Sequence, residues 1–162
     1  MIEICFSIGS NIADRAAHLD QAIALIGMRM GRVEVKSAYY ESASWGFDSV
    51  AFLNAVVVIK TALSPIECFY KLEGIESEMG RVRSKVGYAD RVIDIDMLSY
   101  GKRFFTTKQL IVPHPRLSER RFVLIPWAEV RPLMIVPGYN KAVKDLLEQC
   151  SDSGACEKWE DV

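Results

Sequence analysis

Two aspartates separated by a single residue, Asp94-Ile95-Asp96, are the part of this sequence best suited to chemistry. Side chains alternate across a β-strand, so in an extended segment Ile93, Ile95 and Met97 face one way and Asp94 and Asp96 the other. The apolar set belongs against helices. Both carboxylates then share the open face, with Cα atoms roughly 6.6 Å apart at a rise of ~3.3 Å per residue. Carboxylates that close repel each other unless they are protonated or bridged by a cation. The plainer alternative is a pair of solvated acids on an exposed sheet face, although strands disfavour Asp.

The charge map gives the pair a context. From Arg81 to Arg121, seven Arg and three Lys stand against four acids, a net +6 over 41 residues, while the rest of the chain carries −7. A basic segment around two carboxylates suits a polyphosphate with its divalent cations, the acids holding metal and the guanidinium groups holding phosphate oxygens. Any single Arg here reads more readily as a solvated surface charge, but seven near one acidic pair are harder to dismiss. His114, in Val112-Pro113-His114-Pro115-Arg116, is either structural or a phosphate donor, and His18 reads as surface. Trp45, Phe47, Phe52, Tyr88 and Phe122 either pack the core and loops or form a slot for a flat ring. Glu73 and Glu76 form a solvated helix face or approach a ligand's polar edge. Neither G-x-x-x-x-G-K-[ST] nor G-x-G-x-x-G occurs, so phosphate binding rests on metal and side chains; Gly9-Ser10-Asn11 reads as a plain turn.

The elements that position these groups are legible in outline. Ile2, Ile4, Phe6 and Ile8 alternate with Glu3, Cys5 and Ser7 as a half-buried strand. Ile12, Ala16, Leu19, Ile23, Ile26 and Met30 form one helical face, closed by Gly31. A second strand spans Val33 to Tyr39, a loop Ser42 to Val50, and a central third strand Phe52 to Ile59. Ser64-Pro65-Ile66-Glu67 is a capping box with proline at the first helical position, opening a helix that Gly80 ends. Arg91 to Tyr100 is the fourth strand. This βαββαβ order predicts an α+β ferredoxin-like sandwich, an antiparallel sheet with both helices on one face, followed by a C-terminal extension. In the extension we expect an extended piece near Leu110 to Val112, helices over Arg120 to Ile125 and Asn140 to Cys150, and a loose polar tail from Ser151, with Trp159 a possible exception.

At 162 residues, 50% hydrophobic and 25% charged, the chain has the size and apolar content of one folded domain, 1–162. The net charge of −1 argues against a generally cationic nucleic-acid or membrane-surface protein. The longest aliphatic run, Ala55 to Ile59, is far short of the ~20 residues of a membrane span. The N-terminus lacks a basic n-region, and the cysteines at 5, 68, 150 and 156 lack zinc-like spacing. These features point to a cytoplasmic domain with reduced thiols.

Read in order, Ile8-Gly9-Ser10-Asn11, Phe52-Leu53-Asn54, Gly80-Arg81-Val82-Arg83, Arg91-x-x-Asp94-Ile95-Asp96 and Val112-Pro113-His114-Pro115-Arg116-x-x-x-Arg120-x-Phe122 resemble the 6-hydroxymethyl-7,8-dihydropterin pyrophosphokinases of folate biosynthesis, nearly to Trp159. The resemblance implies transfer of the β,γ-diphosphate of ATP to the pterin hydroxymethyl group, with AMP as the second product. It implies Asp94 and Asp96 as ligands of two Mg²⁺ ions, and Arg81 and Arg91 as catalytic residues near the transferred diphosphate. The pterin site would be made by Ser42, Ala43, Trp45, Phe52, Asn54, Glu76 and Phe122, with Phe52 and Phe122 sandwiching the ring. ATP would be met by Glu73, Arg83, Tyr88, Met97, Gln109, Ile111, His114 and Arg120. Loops around 42–51 and 84–90 match mobile lids. The chain departs from the family pattern at Phe52, where Tyr is usual, at Tyr88, where Trp is common, and at Gln109, where Arg occurs. It departs again at Gly87, at Ala89-Asp90 and in the stretch Ser42-Ala43-Ser44-Trp45.

The resemblance further implies a monomer whose partners are the two small substrates, with no nucleic acid and no membrane. Two rivals share the outline. An RNA-binding module would use the same sheet and basic segment, but acids occupy the open face where RNA-binding sheets carry aromatics. A regulatory sandwich domain would bind a small ligand without turnover.

Overall fold

The computed structural model describes residues 1–44, 48–81 and 90–161. In chain order the strands and helices are β1 (Ile2–Ser10), α1 (Arg15–Arg29), β2 (Arg32–Lys36), β3 (Tyr40–Ser42), β4 (Phe52–Thr61), α2 (Pro65–Glu78) and β5 (Asp94–Tyr100). Two short strands follow, β6 (Phe105–Thr106) and β7 (Ile111–Val112), then α3 (Arg121–Val130), β8 (Ile135–Val136), β9 (Lys141–Ala142), α4 (Val143–Glu148) and β10 (Cys156–Lys158). Local sequence explains the helix starts. The Asp14 carboxylate accepts from Ala17 N at 3.1 Å and so caps α1. At α2 the capping box is complete: Ser64 N donates to Glu67 Oε2 at 2.7 Å, and Glu67 N donates to Ser64 Oγ at 3.3 Å. Gly31 closes α1 because a Cβ there would lie 2.2 Å from the Lys60 carbonyl oxygen.

The main sheet is antiparallel, in the order β10-β3-β4-β1-β5, with β2 paired to the other half of the β4 edge that β3 uses. β4 is central, as its apolar run predicts. The expected second strand is two pieces, β2 and β3, each paired separately with β4.

Helices α1 and α2 cover one face, where Ile4, Phe6, Ile8, Val57, Ile59, Ile93, Ile95 and Met97 share a core with Leu19, Ile26, Leu72 and Ile75. The other face is not open along its length. Cys5, Val56, Val58 and Leu98 are buried beneath Leu117, Val123, Leu124, Trp127, Val143 and Leu146 of the C-terminal extension. β1 is therefore buried on both sides from Ile4 to Ser10 rather than half-buried, while Asp94 and Asp96 keep part of their side chains accessible. Helix α3 runs beyond the expected Ile125 and through Pro126. Proline removes one helical N–H, a loss set against the burial of Val123, Leu124 and Trp127.

The tail is another correction. Cys156–Lys158 pair with Tyr40–Ser42, Trp159 N donates to Tyr39 O at 2.8 Å, and the Trp159 ring packs on the α1/α2 core. Its polar composition hid this, because an edge strand needs only backbone partners and one apolar anchor. All four cysteines are free thiols. Among the described residues, no helix is long and apolar enough to cross a membrane.

Candidate active site

The pairing of β1 with β5 sets the centre of the site. Ser7 lies opposite Asp96 and Gly9 opposite Asp94. Ile95 and Met97 are buried toward α1 and α2, so Asp94 and Asp96 project from the same sheet face, with 26% and 38% of their side chains exposed. The Asp94 carboxylate receives two guanidinium groups, Arg81 Nη1 at 3.1 Å and Arg91 Nη1 at 3.0 Å. Arg120 Nη1 lies 4.0 Å from Asp96 Oδ2. Burial, and then the neighbouring Asp94 charge, push the Asp96 carboxyl well above the ordinary carboxylate range. A solvated pair would show neither the guanidinium partners nor this shift.

Glu76 is 5% exposed, which removes the solvated-face reading. Its Oε1 accepts from Ile95 N at 2.8 Å and its Oε2 meets Arg81 Nη1 at 2.6 Å. Burial raises its pKa against the lowering effect of Arg81. Arg81 thus bridges two carboxylates, and its buried Nε has no hydrogen-bond partner among the described residues. Asn54 Nδ2 donates to Ser42 Oγ at 2.8 Å and to Tyr40 O at 3.3 Å. A Cβ at position 9 would lie 3.1 Å from Asn54 Oδ1, so glycine is what lets this amide stand against β1.

His114 is kept neutral at physiological pH, its pKa lowered to about 4 by burial and then by the Arg120 charge. Its Nδ1 accepts from Arg116 N at 3.1 Å, which assigns the proton to Nε2 and leaves that N–H as the donor.

These groups wall a single cavity of about 570 Å³. Arg81, Arg91, Asp94 and Asp96 line it with Glu76, and so do Ser42, Ala43, Phe52, Asn54 and Phe122, the described residues expected around the pterin. Glu73, Met97, Gln109, Ile111, His114 and Arg120, expected around ATP, line it too. Trp45, Arg83 and Tyr88 lie outside the described residues, as do Phe47 and most of the 84–90 loop. The basic segment is not all at the site: Arg103 stacks 4.6 Å from the Phe105 ring, and Arg121 begins α3, its N–H donating to Asp152.

Sequence reasoning gave no site role to Ser7, Gly9, Phe69, Leu72, Leu110 and Arg116, which line the same cavity. A signal existed for two of them. Phe69, Leu72, Glu73 and Glu76 fall at helical spacing on one face of α2.

Among the described residues there is no cluster of three or more His, Cys, Asp or Glu. Mg²⁺ does not need one, because it keeps several waters and takes one or two carboxylates together with substrate phosphates. The hard oxygen donors of Asp94 and Asp96, beside arginines able to hold phosphate, fit that requirement.

Comparison with known proteins agrees with this chemistry. A family model described as 7,8-dihydro-6-hydroxymethylpterin-pyrophosphokinase matches residues 5–132. The 2-amino-4-hydroxy-6-hydroxymethyldihydropteridine pyrophosphokinase of Bacillus subtilis is 44% identical over 126 residues, covering 76% of this chain and 75% of its own. Its counterpart from Methylorubrum extorquens is 38% identical over 156 residues, 95% of this chain and 97% of its own. Among solved structures, the Plasmodium falciparum HPPK-DHPS wild type with SDX-DHP superimposes with a TM-score of 0.73 at 15% identity, over 92% of this chain and 43% of that one. That likeness speaks to the fold alone, and this chain spans less than half the length of that one. With the family model matched along most of the sequence and relatives at 38 to 44% identity, the chain belongs to the 7,8-dihydro-6-hydroxymethylpterin-pyrophosphokinase family.

Proposed function

We propose that this enzyme transfers the β,γ-diphosphate of ATP to the hydroxymethyl group of 6-hydroxymethyl-7,8-dihydropterin, with Asp94 and Asp96 as ligands of two Mg²⁺ ions. The observation that carries this reading is the placement of both carboxylates on one cavity wall with Arg81, Arg91 and Arg120 around them. The alcohol oxygen attacks the β-phosphorus and gives up its proton to solvent, the bond from that phosphorus to the oxygen bridging it to the α-phosphorus breaks, and AMP departs with the electron pair. Bound Mg²⁺ would supply charge neutralisation of the triphosphate and lower the pKa of the attacking hydroxyl.

The chain's own residues supply position and charge. Asn54, held by Ser42 and Tyr40 O, presents its amide to the pterin edge, and Phe52 and Phe122 take the ring faces. Glu76 holds Arg81 beside Asp94 and fixes the backbone between the two metal ligands. Asp94 and Asp96 would hold the cation, and Arg81 and Arg91, beside them, would stabilise the charge that builds on the diphosphate. His114, through Nε2–H, and Arg120 hold the remaining phosphate oxygens of ATP, and Glu73, Met97, Gln109 and Ile111 flank the nucleotide. No side chain is required as general base, and catalysis is positioning with charge neutralisation. Arg83, Tyr88 and Trp45 complete the set of substrate contacts that the family resemblance implies. The strands β1, β2 with β3, β4 and β5, with α1 and α2, form the ferredoxin-like unit of this enzyme, which we take to work as a cytoplasmic monomer.

The test is AMP formation from ATP and the pterin alcohol, with and without Mg²⁺. AMP that appears only with the alcohol and the cation supports the reading. ATP binding without alcohol-dependent AMP would favour the regulatory domain, and metal-independent, salt-sensitive RNA binding the RNA module.

A further inference from the structure

The Gly9-Ser10-Asn11 turn does more than end β1. Asn11 is 4% exposed, and its backbone N–H and both polar atoms of its side chain are engaged. Its backbone N–H donates to Arg91 O at 3.1 Å, and its side-chain Oδ1 accepts from Arg91 N at 2.7 Å. Its Nδ2 donates to Asp90 Oδ1 at 2.8 Å and to Val50 O at 3.2 Å. Asn11 therefore grips both polar groups of the Arg91 backbone, through its own backbone N–H and its side-chain oxygen, while its side-chain NH₂ reaches chain segments 39 and 79 residues away. Around it, Ser49 Oγ hydrogen-bonds the same Asp90 carboxylate, and Arg15 Nη1 donates to Ala51 O at 2.9 Å. Asp90 is held below the ordinary carboxylate range by the Ser49 and Asn11 donors, so it is an ionised acceptor in this network. Three residues further on, the Arg91 guanidinium lies 3.0 Å from Asp94.

We infer that Asn11 is a positioning residue for the transfer reaction. It fixes the Arg91 backbone, and with it the reach of the Arg91 guanidinium, and it ties the segment 48–51 to the segment 90–91 so that both are set together. The geometry is specific to a carboxamide, because one face must accept from Arg91 N while the other donates twice. A carboxylate at this position would still accept, but it would face the Asp90 carboxylate and the Val50 carbonyl with no donor to offer. Asn11 itself does not line the cavity, so its effect has to travel through Arg91. The inference rests on the role given to Arg91 under the proposed function.

The experiment is a double-mutant cycle read by single-turnover AMP formation, with ATP affinity measured separately by tryptophan fluorescence. Asn11→Asp is expected to slow transfer by about 10-fold or more while ATP affinity changes by less than about threefold, because only interactions made in the transition state are lost. In the Arg91→Ala background the same change is expected to cost about twofold or less, since residues acting through one another are not additive. Combining Asn11→Asp with Asp90→Asn transposes the donor and acceptor, and is expected to restore most of the rate. Where Asn11→Asp does not fold, as judged by circular dichroism, Asn11→Ser removes the reach to Asp90 and reads the same cycle. Undiminished transfer in Asn11→Asp, full additivity with Arg91→Ala, or a loss that the swap leaves unrepaired would each overturn the inference. If Arg91→Ala alone transfers at the normal rate, the role of Arg91 fails and the inference falls with it. If Arg91→Ala is slow and Asn11→Asp is normal, the inference fails alone.

Discussion

Glu76 Oε1 accepts a 2.8 Å hydrogen bond from the backbone N–H of Ile95, the residue between the two aspartates. Helix α2 is thereby tied to strand β5 at the point where Asp94 and Asp96 diverge from the core, and the second oxygen of the same carboxylate holds Arg81 at 2.6 Å. Removing the side chain leaves a buried N–H without its acceptor and a guanidinium with Asp94 alone. Glu76→Ala is therefore expected to destabilise the fold by about 3 kcal/mol, the scale of an orphaned buried donor and a broken buried ion pair. Glu76→Gln keeps an acceptor for Ile95 and should cost clearly less. Urea denaturation midpoints of the three proteins check this; equal losses in both variants would mean that the Ile95 hydrogen bond carries nothing.

The raised pKa of Asp96 makes a prediction with a definite sign. With its folded-state value at about 7, above the 3.8 of an ordinary Asp, the folded protein holds this proton more tightly than the unfolded chain does. Its contribution to stability is complete below pH 3.8 and is lost as pH rises through about 7 in the ligand-free protein. His114 works the other way. Its folded value of about 4 lies below the usual 6.5, so its contribution is present above pH 6.5 and lost as pH falls toward about 4. The difference between wild type and Asp96→Asn isolates the carboxylate. Melting temperatures measured without ligand from pH 4 to pH 8 should show the variant gaining on wild type as pH rises, and parallel curves would contradict the shift.

The parts of the molecule legible in sequence were those governed by local rules. The alternation around Ile93, Ile95 and Met97 placed the aspartates on one face, and the Ser64 and Glu67 cap fixed the start of α2. What could not be read depended on distant partners. Nothing near Cys5 or Val58 in sequence says that Trp127 will cover them, and nothing in the polar tail says that Cys156 will pair with Ser42. For Glu76 the spacing left a solvated face and a ligand contact equally open, because its buried position is set by Ile95, 19 residues on, and by Arg81. Asn11 looked like a turn residue for the same reason: its partners lie at Val50, Asp90 and Arg91.

Phe122 lies in the first turn of α3 and lines the cavity, as Phe52 and Asn54 do. Stacking of a flat heteroaromatic ring on such a side chain is worth ~1–3 kcal/mol. Phe122→Ala should weaken pterin binding by about 10-fold or more, measured by quenching of the intrinsic tryptophans, and leave ATP affinity little changed. A loss confined to ATP would place the ring elsewhere.

The most direct test of the account is to count cations. Mn²⁺ bound in the presence of the pterin alcohol and α,β-methylene ATP, which cannot be cleaved at the reacting bond, is measured by electron paramagnetic resonance for wild type and for Asp94→Asn/Asp96→Asn, with folding checked by circular dichroism. The account predicts two tightly bound ions per wild-type complex and loss of both from the folded double variant, together with its AMP-forming activity. A folded double variant that still holds two Mn²⁺ ions, or that still releases AMP at the wild-type rate, would contradict it.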